Sequence, residues 1–157
     1  MSILEKIRAL LVENGVDFRE LHHEITKTSE ESAKARGESI EIGGKALILK
    51  VDDTFGIFVL SAAKQLDSAK LKASMNVKKT RFATPEELME MTGLVPGSVP
   101  PFGSPILPLT LFVDESIVQN KKIAFNAGSL TDSIIFSIED YLRLAKPKIL
   151  SFSKNPE

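Results

Sequence analysis

One segment, residues 93–108 (GLVPGSVPPFGSPILP), constrains the fold of this chain more than any other. It contains three glycines and five prolines, and proline both fixes φ and lacks a backbone N–H. The segment, named the Gly/Pro loop below, therefore cannot form a helix or a central strand, and its proline content favours a rigid path over disorder. Long loops in compact domains are commonly functional, so two interpretations stay open here: a functional loop and a connector.

Regular elements are predicted on both sides of the Gly/Pro loop. Apolar residues at helical spacing predict a first helix that stops at Asn14-Gly15, and residues 16–25 look extended. Two capping boxes, Thr28-Ser29-Glu30-Glu31 and Thr84-Pro85-Glu86-Glu87, each predict the start of a helix. The remaining predicted elements are a helix at 67–75, a helix from Ser137 to about Ala145, and strands at 45–51, 55–61, 80–83, 109–113, 122–126 and 133–137.

The order of these elements predicts an α+β fold. Hairpins alternate with single helices, and the regular βαβ succession of a parallel sheet is missing. No internal repeat or linker is visible, so residues 1–157 are interpreted as a single domain. The tail after about residue 147 is expected to fray, because it follows Pro147 and carries no strong pattern.

Composition excludes several kinds of chemistry. The chain has no cysteine, which removes disulfides, zinc–thiolate sites and thiol nucleophiles, and fits a reducing compartment. Charges occur throughout residues 1–15, and no run approaches the roughly 20 apolar residues of a membrane helix. We therefore expect a cytoplasmic protein that has no membrane partner. The net charge of −1 argues against bulk adhesion to nucleic acid, but a local basic patch remains compatible with it.

Three apparent motifs fail on inspection. Gly43-Gly44-Lys45 lacks the first glycine and the final Ser or Thr of a P-loop, and neither GxSxG nor HExxH occurs. His22 and His23, the only histidines, are adjacent on a predicted strand and should point to opposite faces. Asp52-Asp53 fits a solvated hairpin turn better than a catalytic pair. The sequence therefore predicts no metal site and no cofactor.

Three signals remain, each with a structural alternative. Lys45 opens an apolar strand, either with its head in water or as a cation at the mouth of a pocket. The Gly/Pro loop could present backbone N–H groups to a ligand. Residues 64–81, named the basic segment below, hold six lysines and arginines against Asp67 alone. Such a run is either a solvated face or a footprint for a phosphate backbone, with Lys78, Lys79 and Arg81 as the candidate contacts.

These features, in this order, resemble the YbaK / prolyl-tRNA-synthetase-associated (ProX-like) editing domain family over nearly the whole chain. The resemblance covers His23 with the helix start at 28–33, the lysine strand KALILK at 45–50, and ATPEEL at 83–88. It continues through Thr92-Gly93 and PGSVPPFG at 96–103, and ends with residues 125–141. Ala46 departs from the family, in which many members carry a polar residue beside the lysine, and this position bears on substrate identity.

The resemblance implies a curled mixed, largely antiparallel sheet flanked by helices. It also implies a freestanding, metal-independent enzyme that hydrolyses the ester of mischarged aminoacyl-tRNA, typically tRNA for proline carrying a small wrong amino acid. The expected partner is the acceptor end of that tRNA, with an aminoacyl-tRNA synthetase as a second partner and no DNA. The alternative is a non-catalytic module that holds a tRNA end or nucleotide, or docks on a synthetase.

Site residues follow from the same resemblance. Lys45 falls on the family's functional lysine, which is expected to engage the terminal ribose-phosphate or the aminoacyl carbonyl. The residues expected to bind the substrate are Thr28, Gly97, Ser98, Val99, Pro100, Pro101, Phe102, Gly103, Asn126 and Gly128.

Overall fold

A computed structural model describes all 157 residues of the chain. Its helices are α1 (Ile3–Glu13), α2 (Ser29–Arg36), α3 (Ser68–Met75), α4 (Pro85–Thr92), α5 (Glu115–Val118) and α6 (Ile138–Ala145). Its strands are β1 (Phe18–His22), β2 (Gly44–Val51), β3 (Thr54–Ser61), β4 (Gln65–Leu66), β5 (Thr80–Phe82), β6 (Thr110–Asp114), β7 (Lys122–Asn126), β8 (Asp132–Ser137), β9 (Lys148–Leu150) and β10 (Ser153–Lys154).

The strands form three sheets. A five-stranded sheet has the order β5-β2-β3-β6-β9, with β2 antiparallel to both neighbours and β6 parallel to both of its own. An antiparallel sheet of three strands has the order β1-β8-β7, and β10 pairs with β4. A single bridge between Gly43 and Ala124 joins the start of β2 to β7. The mixed, mostly antiparallel arrangement confirms the predicted α+β class.

Strand β2 separates two hydrophobic cores. Ile48 belongs to the larger core, which also contains Phe125 and Tyr141, whereas its neighbour Leu49 belongs to a smaller core around Phe58. Successive side chains of a strand point to opposite faces, so burial on both faces requires an almost continuous apolar run. This requirement explains the apolar sequence of β2. Lys45 lies next to the first residue of β2, at the margin of both cores.

Local capping explains where the helices begin. The side chain of Thr28 accepts a hydrogen bond from the backbone N–H of Glu31, and that of Thr84 accepts one from the backbone N–H of Glu87. Both predicted helix starts are therefore confirmed. Asp52 adopts a positive φ of 50° in the tight turn between β2 and β3, as a two-residue hairpin requires. No regular element lies between α4 and β6, which confirms the irregular path predicted for the Gly/Pro loop. The four-residue helix α5 was not predicted.

The prediction of a frayed tail is wrong. Strand β9 pairs with β6, and β10 pairs with β4. Between them, Phe152 is fully buried in the smaller core, and its N–H donates to the buried carboxylate of Asp114 at 2.6 Å. Ser153 also donates to that carboxylate, at 2.6 Å. A single aromatic anchor with a buried acceptor therefore orders a segment whose own sequence lacks a strong pattern.

The helices are short. None of them has both the length and the apolar character needed to cross a bilayer.

Candidate active site

A cavity of about 230 Å³ lies between α2, the first half of β2 and the start of the Gly/Pro loop. Five of the predicted site residues line it: Thr28, Lys45, Gly97, Val99 and Asn126. They come from four separate parts of the chain, and the fold brings these five together. The cavity wall contains no aspartate or glutamate.

Lys45 is half-buried in this cavity. Its Nζ donates to the carbonyl oxygen of Lys64 at 3.2 Å, and it makes no ion pair with any carboxylate. Burial lowers the pKa of Lys45 below its ordinary value, while the charge of Glu30 opposes that shift. A cation with a single protein partner keeps donors available for a ligand. Of the two interpretations of Lys45, the pocket is therefore favoured over the fully solvated strand edge.

The cavity also exposes a free sheet edge. Strand β5 covers only the second half of β2, from Leu49 onward, and the N–H of Ala83 reaches Ile48. Main-chain groups of an antiparallel strand alternate in direction, so Ala46 directs its N–H and C=O to the same side as Ile48. No strand pairs with Ala46 on that side, and Ala46 lines the cavity. The cavity therefore offers a main-chain donor and acceptor beside Lys45.

The carbonyl groups of Gly97 and Ser98, at the start of the Gly/Pro loop, both accept hydrogen bonds from the protein. Asn126 donates from Nδ2 to the carbonyl oxygen of Gly97 at 2.8 Å, and the N–H of Gly128 donates to that of Ser98 at 3.0 Å. Gly97 has a φ of 87°, which a residue with a side chain rarely adopts. The N–H groups of Gly97 and Val99 have no acceptor within the chain. These two donors belong to cavity-lining residues and are not used elsewhere in the chain.

The other predicted loop residues support the loop from behind the cavity. Ser98 is buried, and its hydroxyl donates to the carbonyl of Val95 at 2.7 Å. The hydroxyl of the fully buried Tyr141 donates to the carbonyl of Pro101 at 2.7 Å, and its ring packs edge-on against Phe102. Three more of the predicted substrate-binding residues do not line the cavity: Pro100, Gly103 and Gly128.

Arg36 is the cavity residue that the sequence reasoning missed. It is the last residue of α2 and is only 8% exposed. Its Nε donates to Ser133 and its Nη2 to Asn126, both at 3.0 Å, whereas its Nη1 has no partner in the chain. Burial lowers the pKa of Arg36 to about 10, so it stays charged at neutral pH. A sequence signal did exist, because Ser29, Ser32 and Arg36 recur at helical spacing on one face of a polar helix.

The part of the basic segment that contains Lys78, Lys79 and Arg81 lies away from the cavity. Arg81 faces Lys50 across β5 and β2, five residues beyond Lys45, which is roughly 17 Å along the strand. Arg81 makes a bidentate ion pair with Glu87 and thereby lowers the pKa of Glu87 to about 2. The side chains of Lys78 and Lys79 are exposed and make no ion pair. Glu87 therefore neutralises part of the excess positive charge of this segment.

The histidines have separate partners. His22 contacts Asp132 through Nδ1 at 2.8 Å, and His23 contacts Ser133 through Nε2 at 2.8 Å. No group of three or more His, Asp or Glu side chains is arranged to hold a metal ion.

Comparison with known proteins identifies the family. Residues 23–144 match the family described as the aminoacyl-tRNA editing domain. A deacylase of Escherichia coli K12, named multifunctional Ser/Thr-tRNA deacylase ProXp-y, is 35% identical over 155 residues, covering 96% of this chain and 92% of that protein. The chain belongs to the aminoacyl-tRNA editing domain family, and the predicted family is confirmed.

Two further similarities concern synthetases. Proline–tRNA ligase of Shouchella clausii is 33% identical over 102 residues, which span 65% of this chain but only 18% of the ligase. A solved structure described as a candidate trans-editing enzyme for prolyl-tRNA synthetase superposes with a TM-score of 0.82 at 24% identity, covering 99% of both chains. The superposition supports the fold as a whole, including the ordered C-terminal strands.

Proposed function

We propose that this protein is a freestanding aminoacyl-tRNA deacylase that hydrolyses the ester of mischarged tRNA in the cytoplasm. Its substrate is the acceptor end of a tRNA for proline that carries a small wrong amino acid, with serine and threonine as the first candidates. The family match and the similarity to the E. coli Ser/Thr-tRNA deacylase support the reaction. The observation that carries the proposal is the cavity, where Lys45, the N–H groups of Gly97 and Val99, and the edge of Ala46 converge.

The cavity suits an aminoacyl group. Its volume of about 230 Å³ accommodates an amino acid rather than a nucleoside with an amino acid attached. We place the α-ammonium group at the carbonyl of Ala46, because the cavity wall has no carboxylate to receive that charge. Recognition through the main chain also leaves Ala46 free to lack the polar side chain that many family members carry there.

The reaction needs stabilisation of negative charge more than a protein nucleophile. A water molecule, hydrogen-bonded to the vicinal hydroxyl of the terminal ribose, attacks the carbonyl carbon and gives up a proton, and the bond to the esterified ribose oxygen breaks. The departing ribose oxygen takes up a proton. Negative charge on the carbonyl oxygen is stabilised by Lys45 and by the free N–H groups of Gly97 and Val99. The hydroxyl of Ser98 already donates within the loop, so we assign it no nucleophilic role.

A panel of mischarged tRNAs tests this proposal. Purified protein is mixed with tRNA for proline carrying serine, threonine, alanine or proline, and loss of the ester is followed with time. Multiple turnovers on the seryl or threonyl substrate, with prolyl-tRNA spared, are expected. Binding without turnover on every substrate would contradict the proposal and favour a module that only holds the tRNA end. The same panel with a prolyl-tRNA synthetase added detects docking as a change in rate.

A further inference from the structure

The cavity has an open end and a buried polar end. Lys45 is half-buried and Thr28 is exposed, whereas Thr26, Ser32 and Arg36 are each only 8% exposed. Ser32 and Arg36 are separated by one helical turn on α2, and the hydroxyls of Ser32 and Thr26 are hydrogen-bonded at 2.8 Å. An aminoacyl group whose ester lies near Lys45 therefore directs its side chain toward a buried polar surface.

Arg36 is fixed in place without an opposing charge. Its two hydrogen bonds to protein side chains go to the neutral groups of Ser133 and Asn126, and Ser133 is held in turn by His23 at 2.8 Å. No charged side chain offsets the effect of burial on its pKa. Buried charges are normally paired, and Nη1 keeps access to solvent, so a ligand that covers it without offering an acceptor costs free energy. The unpartnered Nη1 of a cavity-lining guanidinium is therefore a preformed donor for an oxygen atom of a ligand.

The Thr26–Ser32 pair indicates which kind of ligand oxygen atom fits beside Nη1 of Arg36. One hydroxyl of the pair donates to the other, which leaves oxygen lone pairs available as acceptors. A ligand hydroxyl satisfies both sides, because its oxygen accepts from Arg36 and its proton goes to the pair. A methyl group of similar size would cover Nη1, which solvent can reach in the free protein, without accepting a hydrogen bond from it.

We propose that Arg36 is the specificity-determining residue of this cavity and that its Nη1 donates to the side-chain hydroxyl of a seryl or threonyl group. This inference rests on the proposed function, since it assigns the aminoacyl side chain to the buried end of the same cavity. Sites built to bind a substrate hydroxyl reject the analogue that lacks it far more strongly than apolar pockets reject a missing methylene. Arg36 thus selects hydroxyl-bearing amino acids, whereas Lys45 and the Gly/Pro loop act on the ester common to all substrates.

The sharpest test compares two groups of nearly equal size. The value of kcat/KM is measured for one tRNA carrying serine or 2-aminobutyrate, in which a methyl replaces the hydroxyl. The wild-type protein should prefer the seryl substrate by about 100-fold or more. Arg36→Met should reduce that preference by about 10- to 100-fold, the effect of losing one hydrogen bond to a charged group. Arg36→Lys, which keeps a charged donor, should retain part of the preference.

Lys27→Met is the matched control. Lys27 also lines the cavity but is exposed and has no hydrogen bond to Arg36, so its loss should change both rates by the same factor and leave the seryl preference in place. Equal losses on both substrates in Arg36→Met would reduce Arg36 to a support for the loop and overturn the inference. Faster turnover of aspartyl-tRNA than of seryl-tRNA would also overturn the inference, because Arg36 would then bind a carboxylate rather than a hydroxyl.

The rates of the wild-type protein alone distinguish an error in the role of Arg36 from an error in the proposed function, even if Arg36→Met fails to fold. Turnover of both substrates at equal rates would overturn the role of Arg36 and leave the proposed function standing. Turnover of neither substrate would overturn both.

Discussion

The side-chain amide of Asn126 donates to the carbonyl oxygen of Gly97 at 2.8 Å, which ties the last residue of β7 to the loop residue with a φ of 87°. The other side of the same amide accepts from Arg36. One side chain thus joins α2, the three-stranded sheet and the Gly/Pro loop. This connection holds the carbonyl group of Gly97 against β7, and the N–H groups of Gly97 and Val99 have no internal acceptor.

Two neighbouring loop substitutions should have opposite severity. Gly97→Val imposes a β-branched side chain on a positive φ and places its Cβ 3.3 Å from Leu130, so kcat should fall by about 100-fold or more. Ser98→Ala loses two hydrogen bonds to Val95, a partly exposed residue that water can reach, so activity should change only a few-fold. Rates of both variants on one mischarged tRNA measure the difference. The reverse order, with a covalent adduct on Ser98 in the wild-type mass spectrum, would refute this account of the loop.

Asp114 should make the C-terminal strands sensitive to acid. Burial alone would raise the pKa of Asp114, but hydrogen bonds from Phe152, Ser116 and Ser153 outweigh burial and lower it. A carboxylate with a lowered pKa stabilises the fold above its unfolded pKa of about 4, and the stabilisation is lost as pH falls through the folded value. Asp114→Asn should therefore lower the free energy of unfolding by about 1–3 kcal/mol at pH 7. Denaturant unfolding should show this difference shrinking toward pH 3, and a constant difference would disprove it.

The basic segment should contribute to tRNA affinity. Replacement of Lys78, Lys79 and Arg81 by Ala should weaken binding and flatten its salt dependence, by up to about one unit of log–log slope per lost phosphate contact. Because Glu87 already pairs with Arg81, most of the effect should come from the two lysines. The matched control replaces Lys6 and Lys121, two exposed lysines outside this segment. If both sets of substitutions leave the slope unchanged, the basic segment is only a solvated face.

Metal removal should leave the reaction rate unchanged. The cavity supplies its positive charge through Lys27, Arg36 and Lys45, and the assigned steps use no metal-bound water. Protein treated with a chelator that strips zinc should retain full activity, once magnesium is restored for tRNA folding. Activity that disappears and returns only with zinc would show that the charge stabilisation assigned here is incomplete.

The sequence predicted the parts of this protein whose signals are local. Capping residues marked the starts of α2 and α4, and the glycines and prolines of residues 93–108 marked an irregular loop. Lys45 and Gly97 lie within contiguous motifs, so they could be named as site residues, and both line the cavity. Their roles in the reaction remain predictions that the substitutions described here will test.

The features that the sequence did not predict depend on distant partners. Arg36 is fixed by Asn126 and Ser133, which lie 90 and 97 residues further along the chain. The C-terminal segment is ordered because Phe152 fills a core built from β2 and β3, and because Asp114 accepts its N–H. Helical spacing places Arg36 on one face of α2 with Ser29 and Ser32, but no pattern near Arg36 or Phe152 identifies the distant partner. Only the folded arrangement brings the two halves of each contact together.

The most direct test of the central claim is the deacylation rate of Lys45→Ala on seryl-tRNA for proline, compared with that of the wild-type protein under single-turnover conditions. Lys45 lies at the margin of both cores and makes a single hydrogen bond, so the variant should keep its thermal stability. Its rate should fall by about 100-fold or more, since one preorganised donor to a developing oxyanion is worth that much. A folded Lys45→Ala protein that removes serine at the wild-type rate would contradict the mechanism.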